Sequence, residues 1–236
     1  MKRSFLTTAL VLAGISASDA AITYVDATSG VSGNTTLASG GTFSPPLNGT
    51  TGSDNQWEQR TVFGSSGTIF EANGEVTTEN APRLAVTIPV SDGTYEIFAY
   101  FWSPGTGDAN QQWLLRAGLT NDAGELPLHS RTLTGLATPV NPSGMLVATQ
   151  VTSTAGFAVA PTVITEASGG RVLWQASLGQ VVVSNGSTQV FIDDYSPVTT
   201  VNNRTWFDGV GYELIPEPSS ALLGLFGAVT LVRRRR

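Results

Sequence analysis

The chain is 236 residues long with no cysteine and a single histidine, so a disulfide framework, a thiolate metal centre and a histidine-rich metal site are excluded. Six of its twelve basic residues are Lys2, Arg3, Arg233, Arg234, Arg235 and Arg236, which leaves six basic against sixteen acidic residues over 21–215, a net charge of −10. That sign argues against nucleic acid or an anionic lipid surface as partner of the body.

The first element is a leader. Lys2 and Arg3 precede a mostly apolar run from Phe5 to Ile15, and small Ser18 and Ala20 flank the end of "SASDA". Charged, apolar and small-residue parts in that order form a signal peptide over 1–20, cut by signal peptidase before Ala21. The mature chain is therefore expected to be exported. Residues 21–215 are long enough to bury a real core without disulfides and fit one domain. High glycine and few charges, with sustained apolar segments, read as turn-rich all-β rather than disordered.

Residues 28–56 are polar and turn-rich and predict a long surface loop. Beyond it, several segments alternate with period two. In "RLAVTIPV" Leu84, Val86, Ile88 and Val90 share a face, opposite Arg83, Ala85 and Thr87. "TYEIFAYFW" puts Tyr95, Ile97, Ala99 and Phe101 on one face and Phe98, Tyr100 and Trp102 on the other, beside Thr94 and Glu96. Both faces are apolar enough for a central strand. "QWLLRAGL" groups Trp113 with Leu115, Ala117 and Leu119, and "RVLWQASL" groups Trp174 with Val172, Ala176 and Leu178. Both indoles are expected in the core. Turn signals stand between the strands at Asn73-Gly74, Asp92-Gly93, Pro104-Gly105 and Asn185-Gly186. The last separates "QVVVS" from "STQVFID" and predicts a hairpin with a type I′ turn. Roughly ten or eleven such strands make an all-β fold, two packed antiparallel sheets in a jelly-roll-like sandwich.

The remaining aromatics have two readings. Phe98, Tyr100 and Trp102 form either a second core layer or an exposed stacking surface. Trp57 stands beside Arg60 in "SDNQWEQR", and Trp206 stands with Arg204 and Asp208 in "NNRTWFDG". An indole flanked by carboxylates, amides and guanidinium groups suits a sugar: the ring stacks on the pyranose C–H face while the polar groups bond its hydroxyls. The same positions equally suit a plug for the end of a sandwich, with the ring buried and a polar edge kept wet. Trp57, Arg60, Trp102, Arg204, Trp206 and Asp208 are thus candidate ligand contacts.

Catalytic chemistry is thinly represented. His129 lies in "ELPLHSRTL", read as a surface loop, and no G-x-S-x-G elbow occurs. Asp193 and Asp194 are strand neighbours pointing to opposite faces, so they cannot flank one glycosidic bond together. Acids beside carbonyl-rich loops suit a structural calcium ion, with Asp26, Glu71, Asp193 and Asp194 as candidate ligands. Solvated carboxylates are the alternative, and no other cofactor is implied.

The chain closes on "PEPSSALLGLFGAVTLVRRRR". Neither Pro216 nor Pro218 can donate to a ladder, so the motif stops any preceding strand. Residues 219–232 carry no charge and form a helix of roughly 21 Å, a short transmembrane span against a hydrocarbon core of about 30 Å. Arg233, Arg234, Arg235 and Arg236 fix that end in the cytoplasm, with the body outside. Pro216, Glu217 and Pro218, the apolar segment and the arginine cluster together resemble the PEP-CTERM sorting signal, over 216–236. The resemblance implies recognition and removal of the tail by a membrane-embedded exosortase, then transfer to the cell surface or extracellular matrix. It also implies a bacterium that makes exopolysaccharide.

The body, over 21–215, resembles carbohydrate-binding jelly rolls through "YEIFAYFW" and the closing strand "RTWFDGVGYEL". The expected function is a non-enzymatic, glycan-binding or matrix-associated surface protein, with extracellular polysaccharide as partner and the inner membrane a transient station. A glycoside hydrolase or lyase and a purely structural matrix protein are the alternatives.

Overall fold

A computed structural model describes residues 20–40, 55–65, 67–74, 80–104, 111–122, 124–131, 145–165, 170–195 and 202–216. The expected leader, up to Asp19, lies outside the described residues. So does the tail from Glu217, with Pro218 of the sorting motif, the expected span over 219–232, and the cluster Arg233, Arg234, Arg235 and Arg236. Within the described residues there is no helix. The described residues form fourteen strands: β1 (Ile22–Asp26), β2 (Thr35–Leu37), β3 (Glu58–Thr61), β4 (Thr68–Gly74), β5 (Leu84–Pro89), β6 (Gly93–Pro104), β7 (Gln111–Trp113), β8 (Leu115–Gly118), β9 (Leu128–Arg131), β10 (Leu146–Gln150), β11 (Phe157–Val159), β12 (Arg171–Val183), β13 (Ser187–Asp193) and β14 (Asn202–Leu214). β2 lies inside the expected 28–56 loop, pairing with β5 at the edge.

The strands form one curled sheet in the order β11-β1-β14-β6-β12-β10-β9-β8-β13-β5-β2, with β3, β4 and β7 joined around the first half of β14. The curl is made by β10, whose Thr149 and Gln150 pair with β12 while Leu146 to Ala148 pair with β9. The sheet is mixed, not antiparallel as expected. β1 with β11, β9 with β10 and β7 with β14 run parallel. β1 and β11, and β7 and β14, are far apart in sequence, and the consecutive β9 and β10 are separated by fourteen residues, enough for a crossover in place of a hairpin.

The period-two faces read from sequence fill the inside of the curl. Leu84, Val86 and Ile88 of β5, Ile97, Ala99 and Phe101 of β6, Trp174 and Ala176 of β12, and Val190 and Ile192 of β13 share one buried cluster. The opposite face of β6 is buried as well. Phe98, Tyr100 and Trp102 pack with Tyr24, Ile69, Trp113, Leu173 and Trp206 in a second cluster. The second-layer reading of "FAYFW" therefore holds, and an exposed stacking surface does not.

Two local expectations, the hairpin at Asn185-Gly186 and the unbroken strand "QWLLRAGL", fail for one reason: consecutive segments change arms of the curl. Asn185-Gly186 does not close a hairpin, because β12 pairs with β6 and β10 whereas β13 pairs with β5 and β8. Asp92-Gly93 links β5 to β6 across the same gap. The two turns lie side by side: the Gly186 amide donates to Asp92 Oδ1 at 3.1 Å and the Val90 amide to Gly186 O at 3.1 Å. Gly186, at φ 73°, supplies the left-handed residue that the crossing needs. "QWLLRAGL" is likewise cut at Leu114, whose amide bonds Arg204 O. Trp113 joins the outer cluster while Leu115 and Ala117 enter the inner one. His129 is buried in β9, with Nε2 3.3 Å from Ala117 O, and burial lowers its pKa.

Trp174 is 3% exposed at the centre of the inner cluster. Trp174→Ala should cost about 3–5 kcal/mol in urea unfolding, through lost transfer energy and the cavity left behind. A loss under about 1 kcal/mol would mean that this face of β12 is misassigned.

Candidate functional site

The outer face of β3, β4 and β14 concentrates the charged residues of the sheet. Alternation puts Glu58 and Arg60 on one face of β3, and pairing sets Glu58 opposite Glu71 and Glu71 opposite Trp206. Arg204 lies two residues before Trp206 on the same face, and Asp208 two after it. Glu71 is wholly buried and paired on both sides: its Oε1 with Arg204 Nη1 at 2.8 Å, its Oε2 with Arg60 Nε. Burial lowers the Arg204 pKa, with Glu71 acting in the opposite direction. With Glu58 also buried, two carboxylates and two guanidinium groups balance in formal charge. The buried Glu71 is tolerated because a guanidinium group meets each of its oxygens.

Aromatic rings cover this cluster. Trp206 and Trp113 lie 4.6 Å apart between centroids, and Phe63 stands 5.1 Å from Trp206. Arg171 sits 4.3 Å above the Trp206 ring and 5.3 Å from Phe63 and Trp113, while Arg204 lies 5.6 Å from Trp113. These are cation–π distances at desolvated rings, where the interaction is strongest.

The sequence-derived site residues are thus partly brought together. Arg60, Glu71, Arg204 and Trp206 form the cluster just described. Asp26 and Asp208 meet beside it, bridged by Tyr24 Oη at 3.1 and 2.9 Å. Trp57 and Trp102 are elsewhere: Trp57 lies in the inner core with Nε1 donating to Pro82 O at 2.7 Å, and Trp102 in the outer layer. Trp57, Trp102 and Trp206 are 0, 0 and 1% exposed. None offers a face to a sugar, which corrects the stacking-platform expectation for these rings. The reason is the second apolar layer: a polar sequence neighbourhood marks the ion cluster beneath the rings, not an open surface. Arg60, Arg204 and Asp208 are spent on that same interior.

The four calcium candidates do not converge. Glu71 is held by two arginines, Asp193 by Arg83, Asp26 by Tyr24, and Asp194 is buried beyond the end of β13. Among the described residues no three His, Asp or Glu side chains stand together as a metal would need.

One opening was missed from sequence. An open cleft of about 480 Å³ lies beside the start of β5, lined in part by Ser39, Asn80, Arg83, Asn121 and Asp193. Arg83 holds it in shape. Its Nε and Nη2 bond Asp193 Oδ2 at 3.1 and 3.0 Å, its Nη1 bonds Asn121 Oδ1 and Asp122 O, and its Nη2 also bonds Gly124 O. All five guanidinium hydrogens therefore have an acceptor within the chain. The only sequence signal was a lone arginine on the polar face of "RLAVTIPV". Among the described residues of the lining Asp193 is the one carboxylate, and its Oδ2 is taken by Arg83.

No protein-family model and no curated protein matches the chain. The cluster around Glu71 is then best tested as structure. Glu71→Gln leaves two partly buried guanidinium groups facing a neutral amide and should cost toward the low end of about 3–5 kcal/mol in urea unfolding. Unchanged stability would show that the arginines do not depend on this carboxylate.

Proposed function

We propose that this chain is an exported protein delivered by an exosortase to the cell surface or extracellular matrix, where its body serves as a non-enzymatic structural module. The observation that carries the reading is the ordered tail: Pro216-Glu217-Pro218, an uncharged apolar segment over 219–232, and the cluster Arg233, Arg234, Arg235 and Arg236. In this reading signal peptidase removes 1–20, the apolar segment holds the precursor in the inner membrane, and the exosortase releases it. The two arms of the curled sheet are taken as the two layers of a jelly-roll-like sandwich.

The junction with the body supports this order. β14 ends at Leu214, the Ile215 amide still donates to Thr94 O at 2.8 Å, and Pro216 is exposed with no N–H to give. Cleavage at the motif would cut after the last ladder bond and leave the described sheet whole.

Burial of all five indoles favours the structural module over a tryptophan-based sugar binder. A polysaccharide contact, in this proposal, falls to the cleft amides and the Arg83–Asp193 pair, which suit a neutral glycan. Retardation of the chain in gels containing neutral polysaccharide, abolished by Asn80→Ala, would make glycan binding the better description.

Sorting is tested by deleting Arg233 to Arg236, or by replacing Pro216-Glu217-Pro218 with alanines. Both variants should accumulate as unprocessed precursor in the inner membrane. Cell fractionation and mass spectrometry of the mature C-terminus read the outcome. Normal surface display and an unchanged cut C-terminus in both variants would refute exosortase sorting.

A further inference from the structure

The turn between β3 and β4 folds back onto the outer face of β14, and what holds it there is a carboxyl group. Asp208 is wholly buried at a bulge in β14, between Phe207 and Gly209. Its Oδ1 accepts from the Ser65 amide at 3.1 Å, and its Oδ2 lies 2.8 Å from Ser65 Oγ and 2.9 Å from Tyr24 Oη. Tyr24 Oη is also 3.1 Å from Asp26 Oδ1. Gly64 approaches so closely that a β-carbon would collide with Asp208 Oδ1. Phe63, carried by the same turn, covers Trp206.

The oxygens Asp26 Oδ1, Tyr24 Oη, Asp208 Oδ2 and Ser65 Oγ make a chain of three contacts. Only two hydroxyl hydrogens, those of Tyr24 and Ser65, are available to fill them. The third contact needs a further proton, which a protonated Asp208 supplies by donating to Tyr24 Oη while Tyr24 donates to Asp26. The turn itself is under tension, since Val62, β-branched and exposed, has φ 67°.

We propose that the Val62–Ser65 turn is a proton-controlled latch: the protonated Asp208 side chain holds it down over Trp206, and ionisation of that carboxyl releases it. Release gives the carboxylate water in place of a buried site and relaxes Val62. It uncovers the Trp206 ring with Arg171 against it. The other titratable and charged groups of this face are Tyr24 and Asp26 on β1, Glu58 and Arg60 on β3, Glu71 on β4, Glu96 and Tyr100 on β6, Arg204 and Glu213 on β14 and Arg171 on β12. Burial, and after it Glu213, raises the Tyr100 pKa, so that phenol keeps its proton. Glu71 is neutralised by Arg60 and Arg204. Tyr24 keeps its proton, since burial, then Asp208 and Asp26, raise its pKa well above the ordinary value.

Burial, and after it Asp26, raises the Asp208 pKa from 3.8 to about 6, against the opposing effect of the bonds from Ser65 and Tyr24. A carboxyl with a higher pKa in the closed state than in the hydrated open one favours closure fully below pH 3.8. That preference declines as the pH rises and is gone above about 6. The opening constant should therefore increase roughly 50-fold between about pH 4 and about pH 7.

Amide hydrogen exchange of the full-length chain in detergent, corrected for intrinsic rates, reads this directly. The protection of the Val62 and Ser65 amides should fall roughly 50-fold over that range while amides of β13 stay unchanged. Asp208→Asn should abolish the pH dependence. Ser65→Ala should lower protection at every pH and keep the slope. A carbon-13 titration of the Asp208 carboxyl, which needs no variant, should give a midpoint near 6 rather than the ordinary 3.8. Flat wild-type protection, a slope retained by Asp208→Asn, or an ordinary carboxyl midpoint would each overturn the latch.

Discussion

The structure depends on β6 being paired along its length and buried on both faces. From Gly93 to Pro104 it is matched residue by residue to β12, and from Tyr95 to Phe101 to β14. Its side chains alternate between two apolar clusters, one inside the curl and one outside. A strand fixed in this way has no freedom of register, because a one-residue slip would exchange the contents of both layers. The arms on either side inherit that register through β12 and β14. The two turns that cross to β5 and β13 then complete the curl.

The outer layer explains why charge is so economically placed. The body has six arginines and no lysine. Arg60 and Arg204 converge on Glu71, Arg83 pairs with Asp193, and Arg116 pairs with Glu125. Arg171 lies on aromatic rings, and Arg131 donates to Pro104 O. Every positive charge of the body is thus committed internally. The charge presented outward is acidic, which disfavours anionic surfaces as partners.

Much of this was legible in the sequence, and the remainder was not for definable reasons. The two faces of "YEIFAYFW" and the inward set Leu84, Val86 and Ile88 follow from period two alone, and the structure keeps them. Which arm a strand belongs to is not a local property. Asn185-Gly186 carries the residues of a hairpin turn, yet the same left-handed glycine serves a crossing between arms. Leu114 looks like the middle of a strand, but its neighbours bury into different layers. Trp57, Arg60, Trp102, Arg204, Trp206 and Asp208 were read as ligand contacts, yet the three indoles are buried and Arg204 is paired with a buried carboxylate. Sequence could not say that the mixture of indoles, carboxylates and guanidinium groups faces inward, because a buried ion cluster and a sugar site draw on the same residue types. His129 was missed because a four-residue strand, Leu128–Arg131, carries too little periodicity to stand out.

The claim on which these conclusions rest is that the sheet is covered on both faces and keeps every indole from solvent. Acrylamide quenching of tryptophan fluorescence at about pH 5, with the Asp208 latch closed, tests it in one titration of the full-length chain. All five indoles should be quenched far less readily than in the urea-unfolded chain, with a single shallow slope. A readily quenched component of about one fifth of the emission or more, the share of one exposed ring among five, would contradict it.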